Sequence, residues 1–121
     1  MHAKKELYRL KHNGTVGCVT FHNDLIISAS YDTTTRIWSK GTGAQLYSLA
    51  HASLCWNLDI SPNGTLIAIG HGKGVTVWSL TNYDKVAELA LNDVSDVRFQ
   101  TNEKIIAGLH NGHVHMIYLN D

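Results

Sequence analysis

Eight histidines in 121 residues are the side chains here most able to take a metal, and His113, Val114 and His115 place two imidazoles at alternate positions of one stretch, with His110 and His71 at nearby or equivalent turns. Zinc takes four such ligands in tetrahedral array, and the short Cys/His spacings of a closed site are absent from the sequence. These histidines read as turn and surface residues, and neither a metal nor any other cofactor is expected. Hydrolytic chemistry finds no better footing. Asp59, Asp93, Asp96 and Ser61 offer carboxylates and a hydroxyl, but nothing in the sequence pairs a nucleophile with a positioned base. Gly70, Gly72 and Gly74 around His71 and Lys73 suggest a phosphate loop. A phosphate cradle needs a helix N-terminus behind it, whereas this stretch falls between two expected strands and reads as a hairpin turn. The chain is not expected to be an enzyme.

Composition narrows the partners. Ten basic residues balance ten acidic ones, which removes the field that would draw the chain to nucleic acid or an anionic membrane. With 44% apolar and 17% charged residues the chain has the makings of a buried core. The start, Met1-His2-Ala3-Lys4-Lys5-Glu6, lacks the apolar centre of a secretion signal. No apolar run approaches the ~18 residues of a membrane helix. The expected setting is intracellular, cytoplasmic or nuclear. In that setting Cys18 and Cys55 are expected to be reduced thiols rather than a disulfide.

The elements that position these residues repeat. Gly17 to Phe21, Trp56 to Ile60 and Ser95 to Phe99 alternate in the same way at 39-residue spacing, while Arg36-Ile37-Trp38, Thr76-Val77-Trp78 and Met116-Ile117-Tyr118 recur every 40. Between them lie short runs rich in β-branched and small residues, closed by turn chemistry such as Asn63-Gly64 and Asn111-Gly112. The pattern predicts strands over 15–21, 25–30, 34–39 and 44–49, then 54–60, 65–70, 74–79 and 85–89, then 93–99, 104–109 and 113–119. The fold class is all-β, and the chain 1–121 reads as one unit of three repeats over about 11–49, 50–89 and 90–121. The last repeat lacks its outer strand. Residues 5–10, where Glu6-Leu7-Tyr8-Arg9-Leu10 stand before His12 as Tyr47-Ser48-Leu49 stand before His51, are expected to supply it and bring the count to twelve.

Repeats of this length, with four strands and a tryptophan ending the third, resemble the WD40 β-propeller family. Repeat 1 carries the resemblance best, in Ser28-Ala29-Ser30-Tyr31-Asp32-Thr33-Thr34-Thr35-Arg36-Ile37-Trp38-Ser39 with Asp32 six residues before Trp38, and Lys11-His12 where the family has Gly-His. The resemblance implies three four-stranded antiparallel blades and a structural hydrogen-bonded chain through His12, Ser28 or Ser30, Asp32 and Trp38. Repeat 2 keeps His51 and Trp78 but has Gly72 at the aspartate; repeat 3 has Ala90, Gly112 and Tyr118 at the three places, so the chain should be eroded there.

Three blades do not close a ring, since propellers have four to eight around a channel. Either the sequence is part of a longer protein or copies assemble, a homodimer of six blades being the favoured assembly. The resemblance also implies that partners are gripped at the channel mouth. Mapped onto this sequence, the mouth comprises Thr15 and Gly17, Leu54 and Trp56, Asp93 and Ser95, with Tyr31, His71 and Asn111 at the turns. Trp56 is set apart because its counterparts are Gly17 and Ser95, so packing alone does not demand a large ring there; it reads either as an interface anchor or as filling of the ring core. The expected function is a non-catalytic scaffold that binds a protein or peptide at the channel face, the alternative being a structural or engineered self-assembling propeller with no specific ligand.

Overall fold

The computed structural model describes residues 5–119; residues 1–4 and 120–121 lie outside them. Eleven strands and, among the described residues, no helix make three antiparallel sheets. The first holds β1 (Val16–His22), β2 (Leu25–Ser30), β3 (Thr34–Ser39) and β4 (Gln45–Ala50) in chain order. The second holds β5 (Cys55–Ile60), β6 (Leu66–His71), β7 (Gly74–Ser79) and β8 (Lys85–Ala90). The third has only β9 (Val94–Phe99), β10 (Lys104–Leu109) and β11 (Val114–Tyr118). Each sheet is one propeller blade, and the blades stack in an open arc.

Alternation along the strands sends side chains to both faces of each blade, and this builds the core as two inter-blade layers rather than one centre. Ile27, Ala29 and Ile37 of blade 1 meet Leu58, Ile67 and Ile69 of blade 2. Ala68, Val75 and Val77 on the opposite face of blade 2 meet Val97, Ile105 and Ala107 of blade 3. Polar groups add direction between blades 2 and 3. Asn57 Oδ1 accepts the Val97 N–H at 3.3 Å, and Asp59 Oδ2 accepts the Phe99 N–H at 2.8 Å, so two strand-edge donors of β9 are satisfied by side chains of β5.

The strand pairing corrects the alignment of the third repeat. Phe21, Ile60 and Phe99 pair with Ile26, Ile67 and Ile105, which in turn pair with Trp38, Trp78 and Ile117. Ile117 therefore takes the place of the tryptophan in blade 3 and packs into the core, while Tyr118 is exposed. The turns explain the shift. His110-Asn111-Gly112 repeats the three-residue turn Tyr31-Asp32-Thr33, since Asn111 Oδ1 accepts the His113 N–H at 2.9 Å as Asp32 Oδ1 accepts that of Thr34 at 2.9 Å. Blade 2 is shorter there, with His71 paired directly to Gly74 across Gly72 and Lys73. Asn111, not Gly112, thus stands at the Asp32 position.

Residues 5–10 form no strand, so the described residues hold eleven strands rather than the expected twelve. The segment nevertheless lies in a defined place. The Tyr8 hydroxyl donates to the Gly41 carbonyl, and the Tyr8 ring lies against Gly43. In the next repeat Tyr47, the counterpart of Tyr8, stacks on Tyr83, the counterpart of Gly43, with ring centroids 3.8 Å apart. Residues 5–10 thus pack on blade 1 as β4 packs on blade 2, in the position of an outer strand.

Candidate functional site

Two sets of side chains have the geometry to do something specific. The first is a polar chain inside blade 1. The Trp38 indole N–H donates to Ser28 Oγ at 2.9 Å, and Ser28 Oγ lies 2.6 Å from His12 Nε2. With the Ser28 hydroxyl donating to Nε2, the Nδ1–H of His12 faces Asp32 Oδ2 at 2.9 Å. Between the two candidate serines, Ser28 makes these bonds. Ser30 instead donates to the Thr15 carbonyl at 2.9 Å and accepts the Asp32 N–H at 3.0 Å, which ties the turn to β1. Burial works to raise the Asp32 carboxyl, but bonds from the Thr34 hydroxyl, the Asn13 amide, His12 and the Thr34 amide outweigh it and hold the pKa well below the usual carboxylate range. The chain consumes its donors and acceptors internally, so it positions backbone and presents nothing to a ligand.

Blade 2 shows what erosion of this chain leaves. Strand pairing puts Ile69 at the Ser28 position, opposite Thr76 as Ser28 is opposite Arg36. The Trp78 indole N–H consequently has no partner, and with Lys73 rather than a carboxylate at the Asp32 position of the shorter turn, neither does His51 Nδ1. His51 Nε2 turns to Thr35 Oγ1 at 3.1 Å. Burial first, then the neighbouring His71 and Lys85, push the His51 pKa down to about 4. Cys55, buried beside Thr35, is raised to about 11, chiefly by burial; it and Cys18 are both free thiols. No group of three or more His, Cys, Asp or Glu that could hold a metal occurs among the described residues.

The second set lies at the channel end of the three blades. Trp56 on β5 is half-buried between Tyr31, edge-on at 5.0 Å and 69°, and His110, edge-on at 5.6 Å and 70°. These three rings come from three different blades. Their placement follows from one repeated backbone bond: Tyr31 N–H to Thr15 O, Gly72 N–H to Leu54 O and His110 N–H to Asp93 O. Gly17 lies against the backbone of β5, where a Cβ would stand 2.8 Å from the Cys55 carbonyl oxygen, 3.2 Å from that of Trp56 and 3.3 Å from the Tyr31 ring, so the small residue on β1 is what lets the ladder close. The buried Trp56 indole N–H has no hydrogen-bond partner.

Of the residues expected at the mouth, Tyr31 and Trp56 meet directly, and Leu54, Asp93 and Asn111 are exposed on the adjoining loops. His71 does not join them. It is buried, with Nε2 2.9 Å from Thr76 Oγ1 and Nδ1 accepting the Lys73 N–H at 3.2 Å, because the shorter turn puts Gly72 at the Tyr31 position. His110 was not expected and takes the third place. Turn length was the signal that could have found it: counted from the strand before, His110 and Tyr31 each open a three-residue turn.

Three stacked antiparallel blades around an aromatic-lined inner end define a propeller segment. The family model described as "WD domain, G-beta repeat" matches residues 4–39 and 43–79, more than half of the sequence, and the chain belongs to that family. Over 56 residues it is 38% identical to U3 small nucleolar RNA-associated protein 21 of Saccharomyces cerevisiae, covering 45% of this chain and 6% of that protein. Over 84 residues it is 32% identical to nuclear distribution protein nudF of Emericella nidulans, covering 64% of this chain and 19% of that protein. The β-propeller domain of Myceliophteria thermophila Cps50 (Swd1) superposes with a TM-score of 0.84 at 20% identity, over 95% of this chain and 39% of that one. The WD40 β-propeller domain of Doa1 does so with a TM-score of 0.79 at 24% identity, over 87% and 37%. The chain therefore spans well under half the length of these proteins. WD40 propellers are in general protein-interaction scaffolds. Among the described residues no helix is long and apolar enough to cross a membrane.

Proposed function

We propose that this chain is a non-catalytic, intracellular protein-interaction module that binds a peptide or protein segment at the channel end, with Trp56 and Tyr31 as anchors and His110 as the third wall. Leu54, Asp93 and Asn111 form the surrounding rim. The observation that carries this reading is the ladder itself. A tryptophan stands where the other blades hold Gly17 and Ser95, flanked edge-on by rings from both neighbouring blades, with an indole N–H that lacks an acceptor. Aromatic side chains in a semi-enclosed position concentrate binding energy. The balanced charge argues for a protein rather than a nucleic acid or membrane partner. A homo-oligomer is part of the proposal, as the state that would present the channel face complete.

Selection of peptides from a displayed random library against the 121-residue chain tests the reading. Peptides that bind the parent chain should lose at least about tenfold in affinity to Trp56→Ala, the usual scale of an aromatic anchor. Equal binding to Trp56→Ala, or no peptide selected at all, would sink the proposal.

A further inference from the structure

Asparagine is followed by glycine at Asn13-Gly14, Asn63-Gly64 and Asn111-Gly112. This pair is the most open to spontaneous deamidation, because no Cβ shields the glycine nitrogen from the asparagine side chain. The fold treats the three pairs differently. Asn63 Oδ1 accepts from Ser61 Oγ, the Thr65 N–H and Thr65 Oγ1 at 2.8, 3.1 and 2.8 Å, while the Gly64 N–H donates to the Ser61 carbonyl at 2.8 Å. The His22 ring also lies on Gly64. Asn111 Oδ1 accepts the His113 N–H at 2.9 Å, and the Gly112 N–H donates to the Leu109 carbonyl at 3.2 Å. At the first pair, neither the Asn13 side-chain amide nor the Gly14 N–H has a hydrogen-bond partner among the described residues. The Asn13 main-chain N–H alone is bonded, to Asp32 Oδ2 at 3.0 Å. Both residues are exposed, and so is Ala52, the counterpart of Asn13 in blade 2, which has a whole blade before it. The exposure of Asn13 therefore belongs to its linker and not to the uncovered face of blade 1.

We propose that Asn13 is a site of spontaneous modification, at which the folded chain deamidates through a succinimide closed with Gly14. The inference is independent of the channel ligand and of self-association. The Gly14 nitrogen attacks Asn13 Cγ, the bond from Cγ to the amide nitrogen breaks, and ammonia leaves with the Gly14 proton. Water then opens the cyclic imide. Cleavage of the new bond from nitrogen to Cγ gives aspartate. Cleavage of the former peptide bond gives isoaspartate, with the main chain rerouted through Cγ. Ring closure needs Cγ and the glycine nitrogen free to approach, and each hydrogen bond that must open first slows it by roughly two- to tenfold. That hindrance is greatest at Asn63, smaller at Asn111 and absent at Asn13. The product lands on the blade 1 network. A carboxylate at position 13 stands on the residue whose N–H holds Asp32, where like charge repels. An isoaspartate lengthens the main chain ahead of Thr15, whose carbonyl accepts both the Ser30 hydroxyl and the Tyr31 N–H. Deamidation should thus loosen the Tyr31 turn, one wall of the ring cluster.

The test incubates the purified chain in mildly alkaline buffer and, in parallel, in concentrated urea, and follows tryptic peptides by mass spectrometry. Cleavage after Lys11 and Arg36, after Lys40 and Lys73, and after Lys104 puts the three pairs in separate peptides. In urea the three should convert at comparable rates. In buffer Asn13 should lead, at least about tenfold ahead of Asn63, with Asn111 between them. Asn13→Gln, whose longer side chain closes the ring far more slowly, should leave the first peptide unmodified and the other two unchanged, which separates Asn13 from Asn23 in that peptide. Chain enriched in the modified form should unfold at lower urea than fresh chain. Conversion in buffer that is fastest at Asn63 or Asn111, equal at all three, or absent at Asn13 overturns the proposal, as does a modified first peptide in Asn13→Gln. An unchanged urea midpoint overturns the effect on the Tyr31 turn.

Discussion

Ser28 is the junction of the blade 1 network, accepting from Trp38 and facing His12 at 2.6 Å. Ser28→Ala removes one oxygen and strands two buried nitrogens, which should cost roughly 2–3 kcal/mol of stability, read as a lowered midpoint in urea with the m-value unchanged. His51 and Asp32 set the response to acid in separate windows. The folded-state pKa of His51 is about 4, below its ordinary 6.5, so the unfolded chain takes up this proton first. Its contribution is complete above about pH 6.5 and is lost as the pH falls toward 4, on the order of 3 kcal/mol in all. Burial lowers His71 as well, which adds to the same slope. The depressed Asp32 carboxyl acts lower: its contribution is complete above the ordinary carboxylate pKa of about 4 and is lost as acid drives protonation in the folded state. Stability measured by denaturant at pH 7 and pH 4.5 should therefore fall, and His51→Gln should flatten that fall while leaving the loss below pH 4 in place. An unchanged slope in His51→Gln would refute the assignment.

At the level of strands and turns, the hairpin lengths decide which residues become equivalent. The alternating runs and the Trp38 motif were enough to place eleven strands within a residue or two, because period-2 burial is written directly into side-chain type. The third repeat was harder to read. Tyr118 mimics the position of Trp38 by spacing alone, yet the core selects Ile117, since pairing with Ile105 fixes which side faces inward. His71 looked like a mouth residue for the same reason, a single residue missing from its turn. The ring cluster at the channel end is legible in Trp56, whose bulk stands out against Gly17 and Ser95, but not in His110, which a count of periods passes over. Gly74 is the element's other constraint. It has φ +148°, and a Cβ there would lie 2.0 Å from the Leu89 carbonyl oxygen. Gly74→Ala should cost roughly 3 kcal/mol or more, seen as a large drop in thermal midpoint, because backbone rather than a yielding side chain stands in the way.

For the whole molecule, the core is shared between blades, so no blade is independent. Each inter-blade layer needs both neighbours, and the ends of the arc are left with Val19, Phe21, Val114 and Met116 in water. The placing of residues 5–10 bears on how such ends would be covered. The bond from Tyr8 to Gly41 and the ring on Gly43 hold this segment in position before any sheet bond forms to it. A strand that joins it would meet a partner whose backbone entropy is already largely spent, so the association would be limited by encounter rather than by ordering of the latch.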